Sequence, residues 1–172
     1  MIGQKGRLVV GQSGGPTSVI NNTLVGAIQQ AMEQSEITGI YGSLRGIKGV
    51  LDENFIDLGC ESAETLALLR RTPGAALGTV RYKVQPEDYD RIIEVLRAHN
   101  VRFFCYIGGN DSMDTAHQVH RAAQRIGYEL YTIGVPKTVD NDLAGTDHCP
   151  GYGSAARFVA LAVRDTGWDT ES

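Results

Sequence analysis

Two short segments gather carboxylates, amides, hydroxyls and a lysine around glycine and proline: Gly108-Gly109-Asn110-Asp111-Ser112 and Pro136-Lys137-Thr138-Val139-Asp140-Asn141-Asp142. Residues of these types suit polyanion chemistry. Gly108-Gly109 lets the backbone approach a ligand closely, and a helix opening at Asp111 or Ser112 offers free N–H groups to a phosphate. Asp111 and Ser112 add oxygen donors of the kind magnesium takes beside water and phosphate oxygens. The plainer reading is a strand-to-helix turn in which Asp111 is only a cap. In the second segment Lys137 supplies a compact positive charge and Thr138 a hydroxyl. Asp140 and Asp142, two residues apart, would project to one side of an extended chain. That is a fuller set of polar groups than a turn needs.

Two other segments add to the set. Gly11-Gln12-Ser13-Gly14-Gly15 matches the Gly-x-Ser-x-Gly nucleophile elbow, in letters and in its strand–turn–helix setting. Pro16 directly after it and its place on the first strand argue against a hydrolase, and only His148 remains as a downstream base. A phosphate cradle is the better reading. Arg81, behind the turn Gly78-Thr79-Val80, carries a planar donor fork suited to a phosphate oxygen; the alternative is a solvated surface arginine. Neither a Walker motif nor a Gly-x-Gly-x-x-Gly fingerprint occurs.

Something must hold these segments in place. Val101-Arg102-Phe103-Phe104-Cys105-Tyr106-Ile107 runs straight into the first, and Tyr131-Thr132-Ile133-Gly134-Val135 into the second. Both are short apolar runs that read as buried strands, and Leu8-Val9-Val10 reads likewise before Gly11. Ligands of open α/β sheets bind outside the carboxyl ends of the strands, so these ends are expected to form one polyanion site. Val19, Ile20, Leu24, Ala27, Ile28, Ala31 and Met32 have helical spacing, and Ile37 to Tyr41 reads as a further strand. Residues 42–61 form a long glycine-punctuated excursion of the kind that is usually functional. Ser62 caps a helix that Pro73-Gly74 stops. Pro86 opens another at its first position, with Tyr89, Ile92, Ile93 and Leu96 inward. Met113, Ala116, Val119, Ala123 and Ile126 are the expected inner stripe of the helix after Asp111, which Gly127 closes. A last helix is expected from about Ser154 to Asp165. Strand–helix alternation of this kind predicts an α/β fold, a Rossmann-like three-layer sandwich around a mostly parallel sheet.

Composition narrows the function classes. The 172 residues are 42% hydrophobic and 21% charged, ordinary for one globular domain, and the net charge of −4 shows no basic stripe for nucleic acid. No apolar stretch approaches membrane-spanning length. Three unpaired cysteines (Cys60, Cys105, Cys149) fit a reducing cytoplasm. Many of the 21 glycines sit beside the candidate segments, which favours a backbone-lined anion site.

Ser13-Gly14-Gly15, Gly78-Thr79-Val80-Arg81 and the two polar segments together resemble the phosphofructokinase family in order and spacing. The resemblance continues through Gly145-Thr146-Asp147, Gly151-Tyr152-Gly153 and Arg164-Asp165-Thr166, so it covers essentially the whole chain. It implies that Asp140 is the general base on the sugar's C1 hydroxyl and that Lys137 is catalytic. It implies that Thr138, Val139, Asp140 and Asp142 seat the sugar, and that Gly14, Gly15, Arg81, Gly109, Asn110, Asp111 and Ser112 contact the phosphoryl donor. Magnesium (Mg2+) is the implied cofactor, diphosphate and fructose 6-phosphate the implied partners, and a homo-oligomer the implied assembly. Metaphosphate-like transfer leaves the nucleophile's proton in place until late, so a simple carboxylate suffices as base.

Donor choice follows from two positions. ATP-using members resemble Gly-Gly-Asp-Gly-Ser and Pro-Gly-Thr there, whereas Asp111 and Lys137 are as in the diphosphate-dependent branch. A carboxylate facing a nucleotide's α-phosphate opposes it by about 4 kcal/mol at ~4 Å and an effective dielectric of ~20, and half of that is still a preference of roughly tenfold or more. One departure is Asn110, where the family usually has an aspartate on magnesium; a neutral amide oxygen ligates more weakly and leaves more of the role to Asp111. Relatives run to about twice this length and carry a later Met-Gly-Arg strand absent here. The expectation is therefore an amino-terminal part, with a donor-binding domain over 1–142 and the start of a sugar-phosphate domain over 143–172, incomplete and catalytically silent alone. ATP as donor, and a non-catalytic sugar-phosphate-binding module, are the competing readings.

Overall fold

In a computed structural model that describes residues 4–15 and 17–172, β1 (Gly6–Gln12) leads through α1 (Ile20–Met32) to β2 (Ile37–Ser43). Then come α2 (Ile47–Leu51), β3 (Phe55–Asp57), α3 (Ala63–Leu69), α4 (Asp88–Ala98) and β4 (Val101–Gly108). The chain closes with α5 (Asn110–Arg125), β5 (Tyr131–Pro136) and α6 (Tyr152–Glu171). Pro16, read above as an argument against a hydrolase turn, lies outside the described residues.

The strands form one sheet in the order β3-β2-β1-β4-β5, parallel except for the antiparallel β3. The chain starts in the middle, builds outward through β2 and β3, then returns to place β4 and β5 on the other side. The reversal falls between β1 and β4, and the crevice at such a point is where open sheets bind ligands. Register makes the strand ends level. Gln12 pairs with Ile107 and Gly108 with Pro136. Ser13 N donates to Ile107 O at 2.8 Å, and Lys137 N to Gly108 O at 2.9 Å.

Period-two alternation sends residues of the central strands to opposite faces, and both faces are apolar as a parallel sheet requires. Val9, Phe104 and Tyr106 pack with α2, α4 and α5 through Ile47, Val50, Ile92, Leu96, Ala116 and Val119. Leu8, Val10, Cys105 and Ile107 pack with α1 and α3 through Ile20, Leu24, Ile28 and Leu66. The result is three layers. Cys105 is a buried core thiol whose pKa burial raises to about 11, so it is inert packing.

Four local expectations need correction. Residues 42–61 are not a free excursion, because α2 and the short edge strand β3 lie within them. The helix expected to open at Pro86 begins at Asp88, whose carboxylate accepts from Gln85 N and the Tyr82 hydroxyl, both at 2.8 Å. Ile126 is not in the core of α5; the helix ends at Arg125 and Ile126 is 56% exposed, while Ala122 takes the inner position. The last helix is longer than expected, and none of its residues is buried: Phe158 is 72% exposed.

Candidate functional site

The turn after β1, the turn after β4 and the residue after β5 meet at the sheet's point of reversal. Gly14 sits there with φ +72, a left-handed backbone that side chains resist. A Cβ on it would lie 3.1 Å from Lys137 Nζ and 3.7 Å from Gly109 N, so all three segments share that space. Lys137 reaches back beneath the turn and donates to Gly15 O at 2.6 Å. It is 4% exposed, and burial pushes its pKa below the ordinary lysine value. An ammonium has three donors, so two remain for an anion over the turn.

On the other side, Gly109 is the extended N-cap of α5, and the first two backbone N–H groups of the helix have no partner within it. Asp111 stands in this first turn, exposed, where a carboxylate suits the positive end of the helix. Ser112 lines the cleft from below. It is 5% exposed and packs under the turn, where a Cβ on Gly108 would collide with it. Glycine at 108 is what lets strand and helix close this tightly.

A cleft of ≈ 710 Å³ lies over these groups, walled by residues 13–15, 80–84 and the first half of α5 with Tyr89. Gly14, Gly15, Arg81, Gly109, Asn110, Asp111 and Ser112 all line it, and Arg81 is exposed within it. Ser13 is almost fully buried, and the Tyr106 hydroxyl accepts from Ile47 N at 3.1 Å. A serine so buried supplies structure to the turn.

The Thr138–Asp142 stretch lies past the cleft wall. Thr138 bridges to Gly151 and its N–H donates to Pro150 O at 3.0 Å. Its Oγ1 accepts from Asp140 N at 3.0 Å. The extended segment expected to align Asp140 with Asp142 is broken at Asn141, whose φ is +55. Asn141 instead closes the loop, accepting from Cys149 N at 2.9 Å. Asp142 accepts from Asn110 Nδ2 at 3.1 Å, which ties this loop to the cleft. Asp140 and Val139 are exposed beside it.

With its nitrogen on Asp142, the Asn110 amide oxygen has no hydrogen-bond partner among the described residues. Among the described residues no three His, Cys, Asp or Glu side chains form a cage. Magnesium binds through one or two carboxylates and completes its shell with water and phosphate oxygens, so this donor set fits an ion carried in with a phosphate.

The phosphofructokinase family model matches residues 7–172. The chain belongs to the phosphofructokinase family. It is 49% identical over 169 residues to the pyrophosphate–fructose 6-phosphate 1-phosphotransferase of Xanthomonas campestris, a match covering 95% of this chain and 40% of that protein. The same-named protein of Rhodospirillum rubrum is 44% identical, with 98% and 42% covered. The crystal structure of pyrophosphate-dependent phosphofructokinase from Nitrosospira multiformis superposes with a TM-score of 0.90 at 44% identity, covering 95% of this chain and 42% of that one. The chain therefore spans about two-fifths of the length of the relatives it matches.

Within this phosphofructokinase fold, two buried amides near the site had no signal in the sequence. Gln12 and Asn21 are 0% and 1% exposed. Both face the 72–77 segment, which leads to Arg81. Their partners lie 51 to 65 residues away, beyond any local spacing rule.

Proposed function

We propose that the chain forms the donor-binding and catalytic part of a diphosphate-dependent 6-phosphofructokinase. The reaction transfers a phosphoryl group from diphosphate to the C1 hydroxyl of fructose 6-phosphate. The bridging P–O bond of diphosphate breaks, a C1–O–P bond forms, the hydroxyl proton goes to the Asp140 carboxylate, and phosphate leaves. The observation that carries the reading is the pairing of exposed Asp111 on the cleft wall with buried Lys137 under Gly14 and Gly15.

Each residue has a physical part. The free N–H groups of the α5 first turn, Arg81 and the Lys137 ammonium hold the diphosphate oxygens and take up charge as the phosphoryl group moves. Asp111 repels the further phosphate of a nucleotide while leaving room for a short donor. Thr138, Val139 and Asp142 seat the sugar beside Asp140. Asn110 and Asp111 together with the donor would hold magnesium, which would neutralise phosphate charge. Residues 1–142 make up the donor domain and 143–172 begin the sugar-phosphate domain. Placement in glycolysis, a cytoplasmic location and homo-oligomeric assembly complete the proposal; among the described residues no helix is long and apolar enough to cross a membrane.

Assaying a full-length protein that carries these residues with each donor tests the reading. Turnover with diphosphate and little with ATP is expected, and a strong ATP preference would overturn the donor assignment while leaving the family intact. The 172 residues alone are expected to bind diphosphate weakly and to turn nothing over, because positioning of the sugar accounts for roughly 7–11 kcal/mol of such a barrier.

A further inference from the structure

Arg81 stands in a stretch between α3 and α4 that contains neither helix nor strand, so something other than a backbone ladder must set its guanidinium against the cleft. Two buried amides grip the stretch. Leu77 N donates to Gln12 Oε1 at 2.9 Å, and Ala76 N donates to Asn21 Oδ1 at 2.9 Å. Asn21 Nδ2 donates to Thr72 O at 2.9 Å. Gln12 Nε2 closes the set by donating to Asn21 Oδ1 at 3.1 Å and to Ile20 O at 3.2 Å. Turning either amide over would set N–H against N–H, so the network fixes both orientations.

The position of the amides matters as much as their bonds. Gln12 ends β1 and immediately precedes the Ser13-Gly14-Gly15 turn, and Asn21 lies in the first turn of α1. The same pair therefore fixes both flanks of the glycine turn and the loop on the facing wall. Leu77 is the transfer point. Its side chain fills the space over Gly42, and its carbonyl accepts from Arg45 N at 2.7 Å. Four residues further on is Arg81.

We propose that Gln12 and Asn21 are positioning residues for Arg81: they lock the 72–77 segment to β1 and α1 so that the guanidinium stays registered with the glycine turn. This rests on the assignment of Arg81 as a donor contact. Buried amides with partners on two sides specify one loop position, whereas apolar side chains would let it slide.

A double-mutant cycle tests it by titrating the full chain with magnesium diphosphate. Asn21→Ala should weaken diphosphate binding by about tenfold while Arg81 is present, as expected for loss of a well-placed charged contact. In the Arg81→Ala background the same change should weaken it less than about twofold, while its effect on thermal stability stays the same in both backgrounds. Ala76→Pro covers the case in which Asn21→Ala does not fold. Ala76 is exposed and is the second residue of a turn closed by Gly78 N to Ala75 O at 2.9 Å, a position that takes proline while losing the N–H that Asn21 holds. It should repeat the cycle. Equal fold losses in both backgrounds would overturn the proposal and leave the Arg81 assignment standing. No loss from Arg81→Ala alone would overturn that assignment, and the proposal with it.

Discussion

The two halves of the site are built differently. The donor cleft rests on the level ends of central strands, with Lys137, Gln12 and Asn21 buried beneath it and bonds reaching 51 to 122 residues along the chain. The Asp140 loop rests on bonds spanning two to eight residues, apart from the single Asn110–Asp142 tie and the Thr138–Gly151 bridge. Beside it, Ile133 of β5 and Phe158 of α6 are 62% and 72% exposed in this chain, which spans about two-fifths of its relatives' length. A cradle for a highly charged donor needs fixed dipoles and fixed charge, which a buried frame provides. In the proposed reaction the base has only to meet a hydroxyl that arrives with the sugar.

The sharpest test of this division is Asp140→Asn. In the full-length protein that carries these residues, turnover should fall by about 10²–10⁴-fold, as for loss of a general base, while diphosphate affinity changes less than about twofold. Equal turnover would remove Asp140 from that role. Lys137→Met tests the other half: steady-state diphosphate affinity should fall by about 10–100-fold, because a charge-assisted contact is lost. Thermal unfolding should shift by no more than about 1 kcal/mol, since an apolar chain of similar length removes a buried charge along with one hydrogen bond.

A smaller effect separates the two regions by pH. Burial holds the Lys137 pKa below 10.5. Below the folded value both states carry the proton and the buried charge costs stability. Between the folded value and 10.5 the unfolded chain binds the proton that the folded chain has released, so stability rises with pH across that window. Denaturant titrations of wild type and Lys137→Met should converge as pH rises through it, while diphosphate affinity of the wild type falls there. Parallel curves would mean that Lys137 is not the titrating group. Gly14→Ala should cost about 1–2 kcal/mol from its left-handed backbone alone, read by the same unfolding experiment. Its methyl would also press on Lys137 Nζ, so donor affinity should drop with stability.

How much of this was legible in the sequence follows from the range of the interactions. β1, β4 and β5 announce themselves as apolar runs, and α5 by its spacing, because those signals are local. The site segments stand at strand ends that the apolar runs mark, and the fold brings the turns after β1 and β4 and the residue after β5 to one crevice. α2 has five residues and β3 three, too short for either period to register among the glycines of 42–61. Ser112 under Gly108 and the bend at Asn141 depend on backbone angles that residue types leave open. Gln12 and Asn21 look like ordinary amides, since what makes them matter is a loop brought back across more than 50 residues.

The claim on which the account turns is that Asp111 and Lys137 choose the donor, and replacing both by glycine tests it most directly. In the full-length protein that carries these residues, the ratio of kcat/KM for diphosphate to that for ATP should fall by roughly tenfold or more, with ATP use rising as diphosphate use falls. If ATP use does not rise and diphosphate use does not fall, the cleft selects its donor by something other than these two charges.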